Sequence, residues 1–142
     1  MNKFITYGKQ YIDRADKLSV LRTLSKDIIT TGDEVNNFEK KIKRYLKCNY
    51  ATVCNSGTSA IFLALGGVDL KKNDVVVMPA VNFIASYNIS KFYEAKIYLA
   101  DVDKITGQMT PQNVIDCCKK FKINKIKAII TMHHGGYPIN TY

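Results

Sequence analysis

The five residues Asn55-Ser56-Gly57-Thr58-Ser59 are the stretch of this 142-residue chain whose types and order point most directly to chemistry. They stand between a short apolar run and the apolar, helix-forming residues 60–65. A glycine removes the side-chain barrier, and hydroxyls flank it on both sides. The free N–H groups at the start of the following helix, with the positive end of its dipole, would converge on one point there, and that point suits a dianionic phosphate. The same residues also serve as plain helix caps, with Ser56 or Thr58 accepting from a backbone N–H. The run lacks the Gly-Lys-Ser/Thr of a Walker loop and the three glycines of a dinucleotide-binding turn.

A second candidate is Phe83, four residues past Pro79. At the end of a strand its flat ring could stack on a planar ligand, but from the residues alone the expectation is that Phe83 fills a core. The thiols Cys48, Cys54, Cys117 and Cys118 and the adjacent His133 and His134 lack metal-site spacing, so structural thiols and no metal are expected.

The formal charge of +9 invites a polyanionic partner. Its makeup argues against nucleic acid: 18 of the 21 basic residues are Lys and only Arg14, Arg22 and Arg44 carry the forked guanidinium that favours phosphates and bases. The basic clusters alternate with apolar residues at element spacing, as solvated faces do. No run approaches the roughly 20 apolar residues of a membrane span, and the start of the chain has no signal-peptide core, which leads us to expect a cytoplasmic protein without membrane or nucleic-acid partners.

These residues need elements to hold them. Asp13 is placed to cap a helix with Ala15, Leu18, Leu21 and Leu24 as its apolar stripe. A second helix, from Asp33 to about Lys47, repeats Val35, Phe38, Ile42, Tyr45 and Leu46 at helical offsets. From Tyr50 on, short apolar runs alternate with helical segments. Strands are expected at Tyr50 to Cys54, Val75 to Met78, Ile97 to Ala100 and Lys127 to Met132. Helices are expected after Ser59, from about Phe83 to Phe92, and from Thr110-Pro111 through Cys118, the last with a capping threonine and a proline in the favoured first position. This alternation predicts an α/β fold, a mostly parallel sheet with helices on both faces, whose sites gather at the carboxyl ends of the strands. By length alone the chain is one domain, since about 150 residues bury roughly two-thirds of their unfolded surface.

Taken in order, Thr31-Gly32, Phe38-Glu39, the residues 55–60, Pro79 to Asn88, Asp101-Val102-Asp103, His133, Gly136 and Pro138 resemble the pyridoxal-phosphate sugar aminotransferases of the DegT/DnrJ/EryC1/StrS family. Tyr7-Gly8-Lys9-Gln10, Ile12-Asp13 and Asp16 are most similar to the branch that aminates a UDP-linked 4-keto-6-deoxy-N-acetylhexose on the way to pseudaminic acid. The resemblance implies a three-layer fold-type I large domain and pyridoxal 5'-phosphate as cofactor. It implies cofactor binding by Gly57, Thr58 and Ser59 at the phosphate and by Phe83 on the ring. Substrate contacts would come from Tyr7, Thr31 and Gly32. It further implies a nucleotide-linked keto sugar as acceptor, glutamate as amino donor, a homodimer, and a role in surface polysaccharide or flagellin glycan synthesis. Asn82 departs from the Ser or Thr usual before the aromatic, and His134-Gly135 and Tyr137 also depart from common family residues.

Family members are more than twice as long. The aspartate beneath the pyridine nitrogen and the Schiff-base lysine are expected beyond Tyr142, and none of the 18 lysines here sits in a matching motif. The expectation is therefore an incomplete large domain, with residues 1–48 as an N-terminal helical segment and 49–142 as the start of the sheet. As a truncated product, a split-gene half or a fragment, it would be inactive alone. Two other classes stay open: a non-catalytic phosphate- or nucleotide-binding module, and an interaction remnant that pairs with a full-length aminotransferase. A sheet cut after its fourth strand would also leave an edge and an apolar face uncovered.

Overall fold

Val75–Pro79 (β1) is apolar along its whole length, and a strand of that kind folds only where both of its faces are covered. In the computed structural model, which describes residues 8–138, it is the middle strand of three. Lys96–Ala100 (β2) pairs with it on one side, in the register Val75–Lys96 to Pro79–Ala100, and Ala128–Ile129 (β3) pairs on the other. Both pairings are parallel.

Alternate residues of β1 enter separate cores. Val76 and Met78 pack with Leu65 and Leu70, against Ile61, Ile89 and Tyr93. Those partners belong to Gly57–Gly67 (α3), to Ile84–Phe92 (α4) and to its C-cap. Val77 packs the opposite way, with Ala100, Met109 and Cys117, against Val114 of Pro111–Phe121 (α5). Helices thus cover both faces of a parallel sheet, the expected three-layer α/β architecture. The chain passes from β1 through α4 to β2 on one face, then through α5 on the other face to β3, on the far side of β1.

Local signals set the ends of these elements. Thr110 caps α5 by accepting from the Asn113 N–H, Asn113 returns the bond to the Thr110 N–H, and Pro111 stands in the first turn. Lys122 closes that helix in the left-handed conformation. Gly66 and Gly67 form the last turn of α3, with Val68 as the C-cap.

The expected strand at Tyr50 to Cys54 does not form among the described residues. The segment has no ladder partner there, and the Val53 N–H donates instead to the Glu39 carboxylate at 3.0 Å. The last strand is also shorter than expected, although the Lys127 and Ile130 N–H groups donate to the Val75 and Val77 carbonyls just outside its two assigned residues.

The chain divides into two units, Met1–Val53 and Cys54–Tyr142. The first holds Arg14–Leu24 (α1) and Asp33–Leu46 (α2). Asp13 caps α1 as expected, in a reciprocal box with Asp16. Neither helix has a buried residue, so the apolar stripe of Leu18, Leu21 and Leu24 and the ring of Phe38 remain exposed. The second unit contains the sheet. No described helix is long and apolar enough to cross a membrane.

Because Met78 is essentially inaccessible between β1's neighbours and α3, Met78→Ala is expected to lower the stability of the chain by about 2–5 kcal/mol. Urea unfolding followed by circular dichroism checks this, and a midpoint unchanged from the native chain would contradict the placement of the core.

Candidate functional site

Two helices begin at the carboxyl edge of the sheet, on the same face. The C-terminal end of α4 lies at the opposite, amino edge, where the Asn73 N–H donates to the Glu94 carbonyl and the Lys96 N–H to the Asp74 carbonyl. The C-terminal half of α3 reaches that same end, with the Tyr93 hydroxyl donating to the Phe62 carbonyl at 3.2 Å. Eleven helical residues span about 16 Å. The first turn of α3 therefore lies at the carboxyl edge, as does the first turn of α4 just past Pro79. Gly57, Thr58, Ser59 and Phe83 share this edge.

Ser56 is the cap of α3: its hydroxyl oxygen accepts from the Ser59 N–H at 3.2 Å, and its carbonyl accepts from the Ala60 N–H at 3.0 Å. Thr58 is not a cap, which separates the two roles that the sequence left open for these hydroxyls. The N–H groups of Gly57 and Thr58 meet no acceptor among the described residues. Ser59 is more committed, since its hydroxyl donates to the Asn55 side-chain oxygen Oδ1 at 2.7 Å while its N–H is already capped. The first turn of α3 thus presents two unpaired N–H groups and the Thr58 hydroxyl, all exposed, at the positive end of a helix with no acidic residue in its first turn. A Cβ placed on Gly57 would meet nothing within 4 Å, so the approach is open.

Phe83 is not a core residue. It occupies the N-cap position of α4 without a side-chain cap bond, and the residue is 65% exposed. A cleft of about 350 Å³ lined by Thr58, Ser59, Phe62, Leu63 and Ile89 runs between the two helices. The donor set and the free ring fit a planar molecule that carries a phosphate, such as pyridoxal phosphate. Asn55 was not picked out as a site residue from sequence. Its signal was its place in the loop one turn before Ser59, whose hydroxyl it orients.

The other face offers a cleft of about 400 Å³ at the junction of β1, β2 and α5, which includes Ala80, Asp101, Asn113, Asp116 and Lys120. Its polar groups are already engaged locally. Asp101 accepts from the Val102 N–H, Asn113 completes the α5 cap, Asp116 accepts from Gln112, and the Lys120 ammonium sits 5.4 Å from the Phe121 ring.

The remaining strand-end loops are tied to one another. Buried Gln108 donates to the Tyr137 carbonyl at 2.8 Å and holds the loop after β3, with its short 3-10 turn His134–Gly136, against the loop after β2. The Asp103 carboxylate closes the β2 loop by accepting from the Thr106 N–H, the Thr106 hydroxyl and the Ile105 N–H. Hydrogen bonds from Thr106, the backbone one first, hold its carboxyl below the usual value. Burial pushes the Cys117 thiol up, which makes it a packing group and not a nucleophile. Among the described residues no group of three or more His, Cys, Asp or Glu is placed to hold a metal.

Of the residues tied to substrate by resemblance, Tyr7 lies outside the described residues. Thr31 and Gly32 belong to the first unit, where Gly32 is the N-cap of α2. A Cβ there would come within 2.4 Å of the Ile28 carbonyl oxygen, so the tight entry into α2 already accounts for the glycine.

A three-layer α/β sheet with unpaired N–H groups at a helix start and an exposed aromatic ring at its carboxyl edge puts the candidate site where open α/β sheets carry theirs. The comparisons give the family. A profile of the DegT/DnrJ/EryC1/StrS aminotransferase family matches residues 10–141, and the chain belongs to that family. It is 35% identical over 111 residues to GDP-perosamine synthase of Escherichia coli O157:H7, covering 78% of this chain and 29% of that protein. It is 34% identical over 98 residues to the UDP-4-amino-4,6-dideoxy-N-acetyl-beta-L-altrosamine transaminase of Campylobacter jejuni, covering 69% and 26%. The aminotransferase from Psychrobacter cryohalolentis superposes with a TM-score of 0.80 at 28% identity, over 90% of this chain and 32% of that one. A sugar aminotransferase of Streptococcus pneumoniae in its PLP form superposes with a TM-score of 0.74 at 25% identity, over 80% and 29%. The chain thus spans less than a third of the length of these relatives, and pyridoxal phosphate is the cofactor of the family.

The lowered carboxyl of Asp103 sets an acid limb. A carboxylate whose folded value is depressed adds stability that is fully present above its unfolded value, about 3.9, and is lost as the pH falls through the folded one. Asp103→Ala is therefore expected to be less stable than the native chain near neutrality, with the difference shrinking as the pH falls below about 3.9. Urea midpoints across pH 2.5–7, a window chosen to bracket the roughly 3.9 of an unperturbed Asp, decide it; a difference that does not vary with pH would contradict the assignment.

Proposed function

We propose that this chain carries the cofactor-anchoring edge of a pyridoxal-phosphate-dependent aminotransferase. The observation that carries the reading is the pair of unbonded N–H groups of Gly57 and Thr58, aimed from the start of α3 at the edge where Phe83 leaves its ring exposed. In this reading the two N–H groups and the Thr58 hydroxyl bind the phosphate, Asn55 and Ser56 fix the turn that presents them, and Phe83 stacks on the pyridine ring. The bound cofactor supplies a conjugated ring that takes up electrons released at a substrate carbon. This chain's own part is binding and orientation. The proton-moving lysine and the acid partner of the ring nitrogen are assigned to no residue here.

The substrate reading is a nucleotide-linked 4-keto-6-deoxy sugar aminated at its keto carbon, with glutamate as donor, for surface polysaccharide or flagellin glycan synthesis. It is supported by relatives whose names specify a GDP-linked and a UDP-linked amino sugar. Thr31, Gly32 and Tyr7 are the substrate-side candidates, and a homodimer is the proposed working assembly. Residues 1–48 would be its N-terminal helical segment and 49–142 the start of its large domain. The reading places the protein in the cytoplasm, where nucleotide sugars are used.

Gly57→Pro tests the phosphate role without breaking the helix. The position is the first of α3, where proline is favoured, and Ser56 before it is already extended, with φ −161° and ψ 160°. The variant deletes one N–H. It is expected to bind pyridoxal phosphate about tenfold more weakly, with unchanged far-ultraviolet circular dichroism, as the loss of one hydrogen bond to a charged group implies. Equal affinity of variant and native chain in an absorbance titration would refute the site.

A further inference from the structure

The lysines of the second unit are gathered at one end of it. Three segments converge at the amino edge of the sheet, where the Asn73 N–H donates to the Glu94 carbonyl, the Lys96 N–H to the Asp74 carbonyl and the Lys127 N–H to the Val75 carbonyl. Lys71 and Lys72 stand in the first segment, Lys91 and Lys96 in the second, and five of the residues 119–127 in the third are lysine. All nine are exposed. The tenth lysine of the unit, Lys104, lies in the loop after β2 at the opposite edge, beside Asp101 and Asp103. The unit is thus polarised along its strands, with its cations at the end away from the candidate phosphate site.

Local structure accounts for only part of this. Three carboxylates share the amino edge: Asp69 pairs with Lys71 at 2.9 Å, Glu94 pairs with Lys72, and the Asp74 carboxylate accepts from the Lys71 N–H. The other seven lysines make no ion pair among the described residues. Lys91, Lys119 and Lys120 sit in the last turns of α4 and α5, where a cation complements the helix dipole. Lys96, Lys125 and Lys127 have no helix end to serve. Like charges gathered on one surface repel, and a partner of opposite charge relieves that repulsion.

The arrangement selects among anions. No arginine stands among the nine, so the forked contacts that favour nucleic-acid phosphates and bases are missing. The charges also do not line a groove that would seat a strand or a peptide, since only Lys120 borders one of the clefts already described. They come from three segments at one end of the layers, which a broad anionic surface can meet together. Phe92 and Phe121 are exposed at this same end, next to Lys91 and Lys120. Clustered lysines with exposed aromatic rings among them are the two signals that hold a protein on an anionic lipid headgroup layer.

We propose that the amino edge of the sheet, with residues 119–127 at its centre, is a surface that docks on an anionic lipid bilayer. Docking in this way requires no membrane-spanning segment. It leaves the carboxyl edge, with Gly57, Thr58 and Phe83, turned toward water, and it does not depend on which cofactor that edge binds.

The test is sedimentation of the full chain with vesicles of equal parts phosphatidylcholine and phosphatidylglycerol, against vesicles of phosphatidylcholine alone. The native chain is expected to bind the anionic vesicles only, and to be released as the salt rises from 0.1 M to 1 M and the screening length falls from about 10 Å to about 3 Å. Lys119→Gln, Lys120→Gln and Lys125→Gln together are expected to weaken binding about a hundredfold, with unchanged far-ultraviolet circular dichroism, since Gln and Lys have similar helix propensities. Lys40→Gln, Lys41→Gln and Lys43→Gln together remove the same charge from α2 and are expected to bind as the native chain does. An equal loss in both triple variants would overturn the proposal, by showing that net charge alone is read. Equal binding to both kinds of vesicle, or to neither, would overturn it as well. Tighter binding to polyadenylate RNA or to a polyglutamate peptide than to the anionic vesicles would replace the lipid surface with that partner.

Discussion

The burial of β1 on both faces is the constraint from which the rest of the second unit follows. Val76 and Met78 must be covered from one side and Val77 from the other, and no single helix can do both. The chain meets this by sending α3 and α4 to one face and α5 to the other. Helices that return to a parallel sheet run against its strands, so two of them are obliged to begin at the carboxyl edge on one face. The site is a by-product of that requirement. The unpaired N–H groups of α3 and the ring of Phe83 share an edge because the core needs two helices to start there.

Packing and polarity divide the labour in the phosphate loop. Ser56 caps the helix and Asn55 holds the Ser59 hydroxyl, which leaves Gly57 and Thr58 free because their neighbours have satisfied the local demands. The positive pole of α3 is not neutralised by any acidic side chain in its first turn, whereas α2 carries Asp33 and Glu34 there. The excess of lysine elsewhere in the chain plays no part in this. In the proposed reading, selectivity for an anion comes from oriented backbone dipoles.

Much of the fold was legible because local signals and periodicity agreed. Thr110-Pro111 marked the start of α5, Asp13 that of α1, and the valine run of β1 could only be a buried strand. Tyr50 to Cys54 misled because a short apolar run is a strand only if another strand is available to pair with it, and its Val53 N–H goes to Glu39 instead. The site was legible in part. Residue types in the 55–59 loop pointed to an anion, but which groups stay free depends on which hydroxyl becomes the cap, and that is decided in three dimensions. An aromatic after a buried strand reads as core, and Phe83 stays exposed because α4 starts at the next residue.

The outer edge of β3 is unpaired among the described residues, and apolar clefts of about 290 and 320 Å³ lie on its two sides. An edge of this kind is prone to pair with other chains, so dilute protein is the appropriate material for binding work. The central claim is that the first turn of α3 binds the phosphate of pyridoxal phosphate through its backbone. A ¹⁵N-resolved amide titration of the full chain with pyridoxal phosphate tests it most directly. The account predicts that the Gly57 and Thr58 amide resonances move first and furthest, downfield as an N–H gains a charged acceptor. Shifts confined to the lysine-rich helices, with Gly57 and Thr58 unmoved, would contradict it.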